Sequence, residues 1–343
     1  MNSKERFGAL MQGQLPDRVP VLCNMLEQGA RELGMSIKEY YSKGEYVAEG
    51  QLKLVEKFGY DGIWGAHYAA REAEILGSRN TIYSEIGPPN VGDMVLKRLD
   101  DIEKFEIPKN IHEHPKFIEE KQTVSILKEE VGNKYPILSY VTGSFTLPSL
   151  LMGTEKWIDL LLCGPENLRR EILQKCSDFC ISRIKALKEI GVDLIAYANP
   201  FAGSSIINLG QFKDLALEWI VRDSNSAGAD GIVYFNGGGK LNPMIKSIIN
   251  ETDIGAVYIS PMDDITEAKQ AIAGNGLLAA AINDINLTRW SDDEIEQEVK
   301  KMMQAGAPGG GFVFGTLVMP FLIPESKIKK MLKAAFKFGQ YDG

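Results

Sequence analysis

The strongest constraint on this chain is a regular alternation of short apolar runs with longer amphipathic stretches, sustained from end to end. Runs at Val19–Met25, Gly62–Ala66, Ile137–Gly143, Asp193–Ala198, Gly231–Asn236, Gly255–Ser260, Leu277–Asn283 and Gly311–Gly315 read as eight strands. Most are near-continuously apolar, as strands covered on both faces must be. Between them, Tyr46–Phe58, Leu168–Ile190, Phe212–Ala227, Ile265–Ala273 and Asp292–Met303 carry apolar residues at helical spacing, and Pro324-Glu325-Ser326 opens a terminal helix. Three phrases, Gly59-Tyr60-Asp61-Gly62, Gly191-Val192-Asp193 and Gly228-Ala229-Asp230-Gly231, punctuate helix ends just before strands. The glycine stops the helix in a left-handed conformation and the aspartate leads into the strand. A doubly wound sheet would use the same grammar, so strand number decides. Eight strands give an α/β fold of the (β/α)8 TIM-barrel type, one domain over residues 1–343. An N-terminal helix is expected outside the barrel. The stretch from Arg71 to Pro136 is too long for one crossover and predicts an excursion over the barrel mouth around Gly87-Pro88-Pro89-Asn90.

Charge narrows the partners. A net charge of −8 without basic clusters excludes a general nucleic-acid or anionic-membrane binder, leaving small molecules and other proteins. No apolar run approaches the roughly 20 residues of a membrane helix, and the opening Met1-Asn2-Ser3-Lys4 lacks a signal-type apolar core. The four cysteines form no CxxC pair, so reduced thiols in a cytoplasm are expected. Cys176 and Cys180, four apart on a helix and without a nearby histidine, read as buried small apolar residues.

Ordered motifs then identify a relative. Asp17-Arg18-Val19-Pro20-Val21, Ala48-Glu49-Gly50-Gln51-Leu52 with Phe58–Gly62, Val141–Leu147 followed by Met152-Gly153, Gly309–Val313 and Ile323-Pro324 occur in the order seen in the uroporphyrinogen decarboxylase superfamily. The chain resembles that superfamily from about Arg6 to Tyr341. The resemblance implies a barrel whose chemistry is decarboxylation or corrinoid-dependent methyl transfer.

Departures from the family patterns separate these activities. True uroporphyrinogen decarboxylases carry an Arg-Gln-Ala-Gly-Arg-Tyr signature after the first strand, whose arginines hold carboxylates. Here Asn24–Arg31 keeps one arginine, Arg31, and gains an acid, Glu27. In the zinc methyltransferase branch, the segment corresponding to Tyr234-Phe235-Asn236-Gly237 reads His-x-Cys-Gly and binds the metal. A further ligand cysteine there falls near Phe321 in this chain. The expectation is no zinc at Tyr234, Asn236 or Phe321.

Candidate site residues are those at predicted strand ends, because barrel ligands bind at the C-terminal mouth. His67, Tyr197 and Tyr234 are the catalytic candidates; Asn24, Glu27, Arg31, Asn199, Asn236, Tyr258, Asn283 and Asp284 are candidates for substrate binding. His67 could serve as acid, base or ligand, or simply be a loop histidine bonded to backbone. Tyr234 could donate a proton or be a rim aromatic with a satisfied hydroxyl. Asn236 could hold an amide or phosphate with Gly237–Gly239, or close a plain turn. Glu27 and Asp284 could be bases or helix caps. His112-Glu113-His114 reads as a surface turn. The reading is a methyltransferase working with cobalamin or another corrinoid, carried on a separate protein. The alternatives are a decarboxylase anchored by Arg31 and a non-catalytic tetrapyrrole-binding barrel.

Overall fold

In the computed structural model, which describes residues 1–341, the expected alternation becomes a barrel. Its strands are β1 (Val21–Asn24), β2 (Ile63–Trp64), β3 (Ile137–Thr142), β4 (Leu194–Ala198), β5 (Ile232–Phe235), β6 (Ala256–Ile259), β7 (Leu277–Ile282) and β8 (Phe312–Val318). They pair in parallel in the order β1-β8-β7-β6-β5-β4-β3-β2. The seam between β1 and β2 is bridged by Asp61 N donating to the Val21 carbonyl at 2.7 Å and by the Trp64 indole donating to the Cys23 carbonyl at 2.9 Å.

Two of the three punctuation phrases act as expected, whereas Gly228 ends its helix at φ 76° and ψ 130°, outside the left-handed helical region, and the aspartates of the first two do more. Gly59 and Gly191 end their helices at φ 69° and 98°, a region open to glycine. The Asp61 carboxylate accepts the Val21 N–H at 2.8 Å, and that of Asp193 accepts the Ile137 N–H at 2.8 Å. Each pins the first residue of the preceding barrel strand. Asp61 is fully buried and also takes Ser3, Arg6 and Arg18, which ties the N-terminal helix Ser3–Met11 to the barrel floor. That helix lies outside the strands and plugs their N-terminal end with Phe7 and Leu10.

Strand side chains divide into two cores. Leu22, Trp64, Leu138, Tyr140, Ala196, Phe235, Tyr258, Ala279, Ala281 and Val313 point inward and pack with Phe7 and Leu10. Val21, Ile63, Ile137, Val141, Ile195, Tyr197, Ile232, Tyr234, Val257, Leu278 and Phe314 point outward into the helix layer. The excursion contains an antiparallel pair, Thr81–Ile82 with Asn90–Val91, and the helix Pro115–Val131. Tyr83 and Val91 pack with Tyr41, Ala66 and Tyr68, against the loops that leave β1 and β2 at the mouth. His114 caps the Pro115 helix by accepting the Lys116 N–H, and His112 sits at the surface beside Glu189. Among the described residues, no helix is long and apolar enough to cross a membrane.

Candidate active site at the barrel mouth

An aromatic arc floors the mouth. Trp64 stacks on Tyr140 with ring centroids 4.7 Å apart, Tyr140 meets Phe235 at 5.6 Å, and Phe235 meets Tyr258 at 5.1 Å. The Tyr258 hydroxyl donates to the Thr316 carbonyl at 2.6 Å, passing over Gly315, where any side chain would collide with it. Tyr258 therefore faces inward as expected, with its hydroxyl already held by the barrel. Tyr140 is different: it is buried, and its hydroxyl has no hydrogen-bond partner. Sequence reading missed Tyr140. Its signal was the strand period, which puts residues 138 and 140 on one face once either is known to point inward.

Two carboxyls and a histidine stand above this floor. Glu27 follows β1, is 2% exposed and accepts a hydrogen bond from the Tyr41 hydroxyl at 3.2 Å. Burial pushes its carboxyl up to about 7. Asp284 follows β7; burial raises it to about 7, and its Oδ2 has no partner. Tyr140 feels the charge of both carboxyls. His67 follows β2, with its ring 5.1 Å from that of Tyr140 and its Nδ1 without a partner. Burial, with the nearby Arg183 and Arg71 charges, holds the imidazole well below its usual range. This favours the neutral ring, whose free nitrogen can accept a hydrogen bond. Asn24 turns inward beside Tyr140, with its Nδ2 on the Thr316 carbonyl at 2.7 Å.

Several expectations need correction. Tyr197 and Tyr234 do not converge with His67. Both project into the helix layer, where the Tyr197 hydroxyl donates to Asp223 at 2.6 Å and the two rings meet edge to face at 5.9 Å. Strand alternation is the reason: Ala196 and Phe235, their sequence neighbours, hold the inward positions. Arg31 commits one nitrogen to backbone, while its buried Nε and Nη2 have no partner. Its Nη1 donates to the Phe321 and Ile323 carbonyls at 3.2 and 3.1 Å, and its charge acts on Glu325. Asn283 caps the short helix Asp284–Leu287 through the Asn286 N–H. Asn199 and Asn236 are fully buried, pressed against Gly143 and Gly203, with amide atoms left unpartnered.

A buried ion network behind β3 was invisible in the sequence. Arg183 pairs with Glu120 at 2.5 Å and Glu72 at 3.6 Å, while Glu72 accepts the Thr142 N–H at 3.0 Å. Burial lifts Glu72 to about 7 and Asp223 to about 6. Together with Glu27 and Asp284, these groups bind protons more tightly folded than unfolded, where they titrate near 4. Their stabilising contribution is full below about pH 4 and is lost as pH rises through 7. Urea midpoints are expected to fall between pH 5.5 and 8, with a shallower fall in Glu27→Gln. A midpoint rising over that interval would contradict these environments.

Tyr234, Asn236 and Phe321, where the resemblance led to an expectation of no zinc, form a donor set without thiolate or imidazole that does not fit zinc. A cavity of about 700 Å³ opens at the opposite, N-terminal end, lined by Phe7, Leu10, Trp64 and Val313, with room left by Ala279. It is largely apolar, and its Lys269 is tied to the Gly306 and Pro308 carbonyls. Unpartnered polar atoms of Asn24, His67, Tyr140 and Asp284 stand at the mouth instead, which makes the mouth the candidate site.

Comparison with known proteins agrees with this architecture. The family model for uroporphyrinogen decarboxylase (URO-D) matches residues 2–338. The chain is 24% identical to a methylcobamide:CoM methyltransferase, MtbA, of Methanosarcina acetivorans, covering 97% of both proteins. It is 23% identical to a uroporphyrinogen decarboxylase of Geotalea uraniireducens, over 94% of this chain and 96% of the relative. The solved structure of a methyltransferase from Methanosarcina mazei superposes with a TM-score of 0.86 at 19% identity, covering 98% of this chain and 99% of that one. An inward-facing mouth on a barrel of this topology, matched over nearly its whole length, leads to one conclusion: the chain belongs to the uroporphyrinogen decarboxylase (URO-D) family.

Proposed function

We propose that this protein transfers a methyl group between a small molecule and a corrinoid carried on a separate protein, with both meeting at the C-terminal mouth. The observation that carries the reading is the rim of that mouth. Ile82, Ile206, Met262, Val318 and Leu322 lie on loops or strand ends of this face and Ile285 on the short helix Asp284–Leu287, and all are exposed, Leu322 by 65%. Apolar side chains gathered around a polar opening mark a surface built to be covered. A corrinoid-bearing partner fits, because its flat macrocycle must approach the barrel axis. Similarity to a methylcobamide-using methyltransferase supports the same chemistry. Within the mouth, Glu27, Asp284, His67 and the Tyr140 hydroxyl would bind and orient the small molecule. The decarboxylase alternative needs cations facing carboxylates, and Arg31 gives its Nη1 to the Phe321 and Ile323 carbonyls.

The test is the absorbance of reduced cobalamin mixed with the purified protein and methylated small molecules. Conversion to the methylated spectrum is expected. With a corrinoid protein as acceptor, Leu322→Asp combined with Ile285→Asp should slow transfer at least about tenfold without altering circular dichroism. Release of CO2 from a carboxylated substrate, with no cobalamin change, would overturn the reading.

A further inference from the structure

Around β1 and β7 several buried acceptors stand without a donor. The Asn24 Nδ2 donates to the Thr316 carbonyl at 2.7 Å, the Gln28 Nε2 to the Met319 carbonyl at 2.8 Å, and the Gln51 Nε2 to the Met25 carbonyl at 2.9 Å. A carbonyl can only accept, so each amide orientation is fixed. Each amide oxygen is then left buried without a donor, and the Asp284 Oδ2 is left the same way. Asn24, Gln28 and Gln51 are no more than 1% exposed.

Arg31, Arg71 and Arg183 keep buried N–H groups without partners, yet none of them is paired with Glu27, Asp284 or these amide oxygens. Arg31 holds the Phe321 and Ile323 carbonyls, Arg71 holds the Lys116 carbonyl and Glu119, and Arg183 holds Glu120 and Glu72. An anionic ligand would meet Glu27 and Asp284 across a poorly solvated gap. A ligand that brings positive charge would be paired by them, above the face of an aromatic floor that itself attracts cations.

We propose that the ligand of this mouth is a methylated organic ammonium ion, held by the carboxylates of Glu27 and Asp284 and the amide oxygens of Asn24 and Gln28. The proposal rests on the methyl-transfer reading and names its substrate class. An ammonium donor also explains how the site can work without zinc or a strong acid. When the C–N bond breaks, both electrons stay on nitrogen and a neutral amine departs, so the leaving group needs no proton. The methyl carbon takes the electron pair of its new bond from the reduced corrinoid, which is oxidised by two electrons. The neutral amine then loses its attraction to the two carboxylates, which favours release.

The test is calorimetric and does not depend on turnover. Trimethylammonium chloride is titrated into the intact protein at pH 8, where Glu27 and Asp284 are ionised, with tert-butanol and sodium acetate as neutral and anionic probes. The ammonium ion is expected to bind in about the millimolar range, as suits so small an ion, and the other two are expected not to bind. Glu27→Gln and, independently, Asp284→Asn should each weaken binding at least about tenfold. Stronger binding of acetate or tert-butanol, or unchanged ammonium affinity in both variants, would overturn the proposal. So would displacement of the ammonium by equimolar calcium or zinc chloride, which would assign these oxygens to a metal ion. Ammonium binding without methylation of cobalamin would sink the methyl-transfer reading and leave the cation site standing. Methylation from a neutral or anionic donor would do the reverse.

Discussion

Asp61→Ala is expected to destabilise the protein by about 3–5 kcal/mol, the cost of removing one partner from a buried ion cluster. Asp61 is fully buried and receives Arg6, Arg18, Ser3 and the Val21 N–H. Alanine strands the Arg18 guanidinium, which pairs with no other carboxylate, while that of Arg6 keeps Asp17. It also frees the N-terminal helix and the start of β1 at the β1–β2 seam. The loss is a large share of the stability of an ordinary domain. Urea unfolding followed by circular dichroism would measure it. An effect below about 1 kcal/mol would show that this cluster does not hold the barrel closed. The corresponding Asp193→Ala should cost less, because Asp193 is partly exposed and its ion pair is to the exposed Lys4.

His67→Ala is expected to lower turnover by roughly 10²–10⁴, the range for a lost proton-handling group, with stability nearly unchanged. The neutral imidazole puts an unpartnered Nδ1 beside Tyr140, where it can accept a hydrogen bond from an N–H of the bound molecule. Because burial and two arginines keep it neutral, its removal should lower the rate equally across neutral pH. The rate change near pH 7 should persist, since it belongs to Glu27 and Asp284. A His67→Ala profile that loses this limb, or turnover equal to the parent, would remove His67 from the site. His67→Gln, which keeps an acceptor, should recover part of the loss if hydrogen bonding is the role.

Much of the fold was readable because its signals are local. A helix ending at Gly59 or Gly191 needs only a left-handed residue, and a buried strand needs only a short apolar run. The excursion was readable from length alone. The site was less readable. Glu27, His67 and Asp284 were reached by position, as residues just past strand ends, and they do stand at the mouth. Tyr197 and Tyr234 sat at equally good positions along the chain, yet they point the other way. Tyr140, Tyr41, Gln28 and Gln51 went unnoticed, because nothing in their neighbourhoods distinguishes a polar group lining a cavity from one satisfied in a core.

The sequence by itself determined that eight apolar strands alternate with helices and that the strands are covered on both faces. Tertiary structure alone decided which face of each strand looks inward. A strand covered on both sides carries no polar–apolar alternation to reveal its register, and a shift of one residue exchanges the two faces. Barrel closure also had to set β1 and β7 on either side of β8, so that Glu27 and Asp284, from opposite ends of the chain, act on one tyrosine. Their titration near neutrality follows from that closure, because it is burial, not any local motif, that raises both carboxyls.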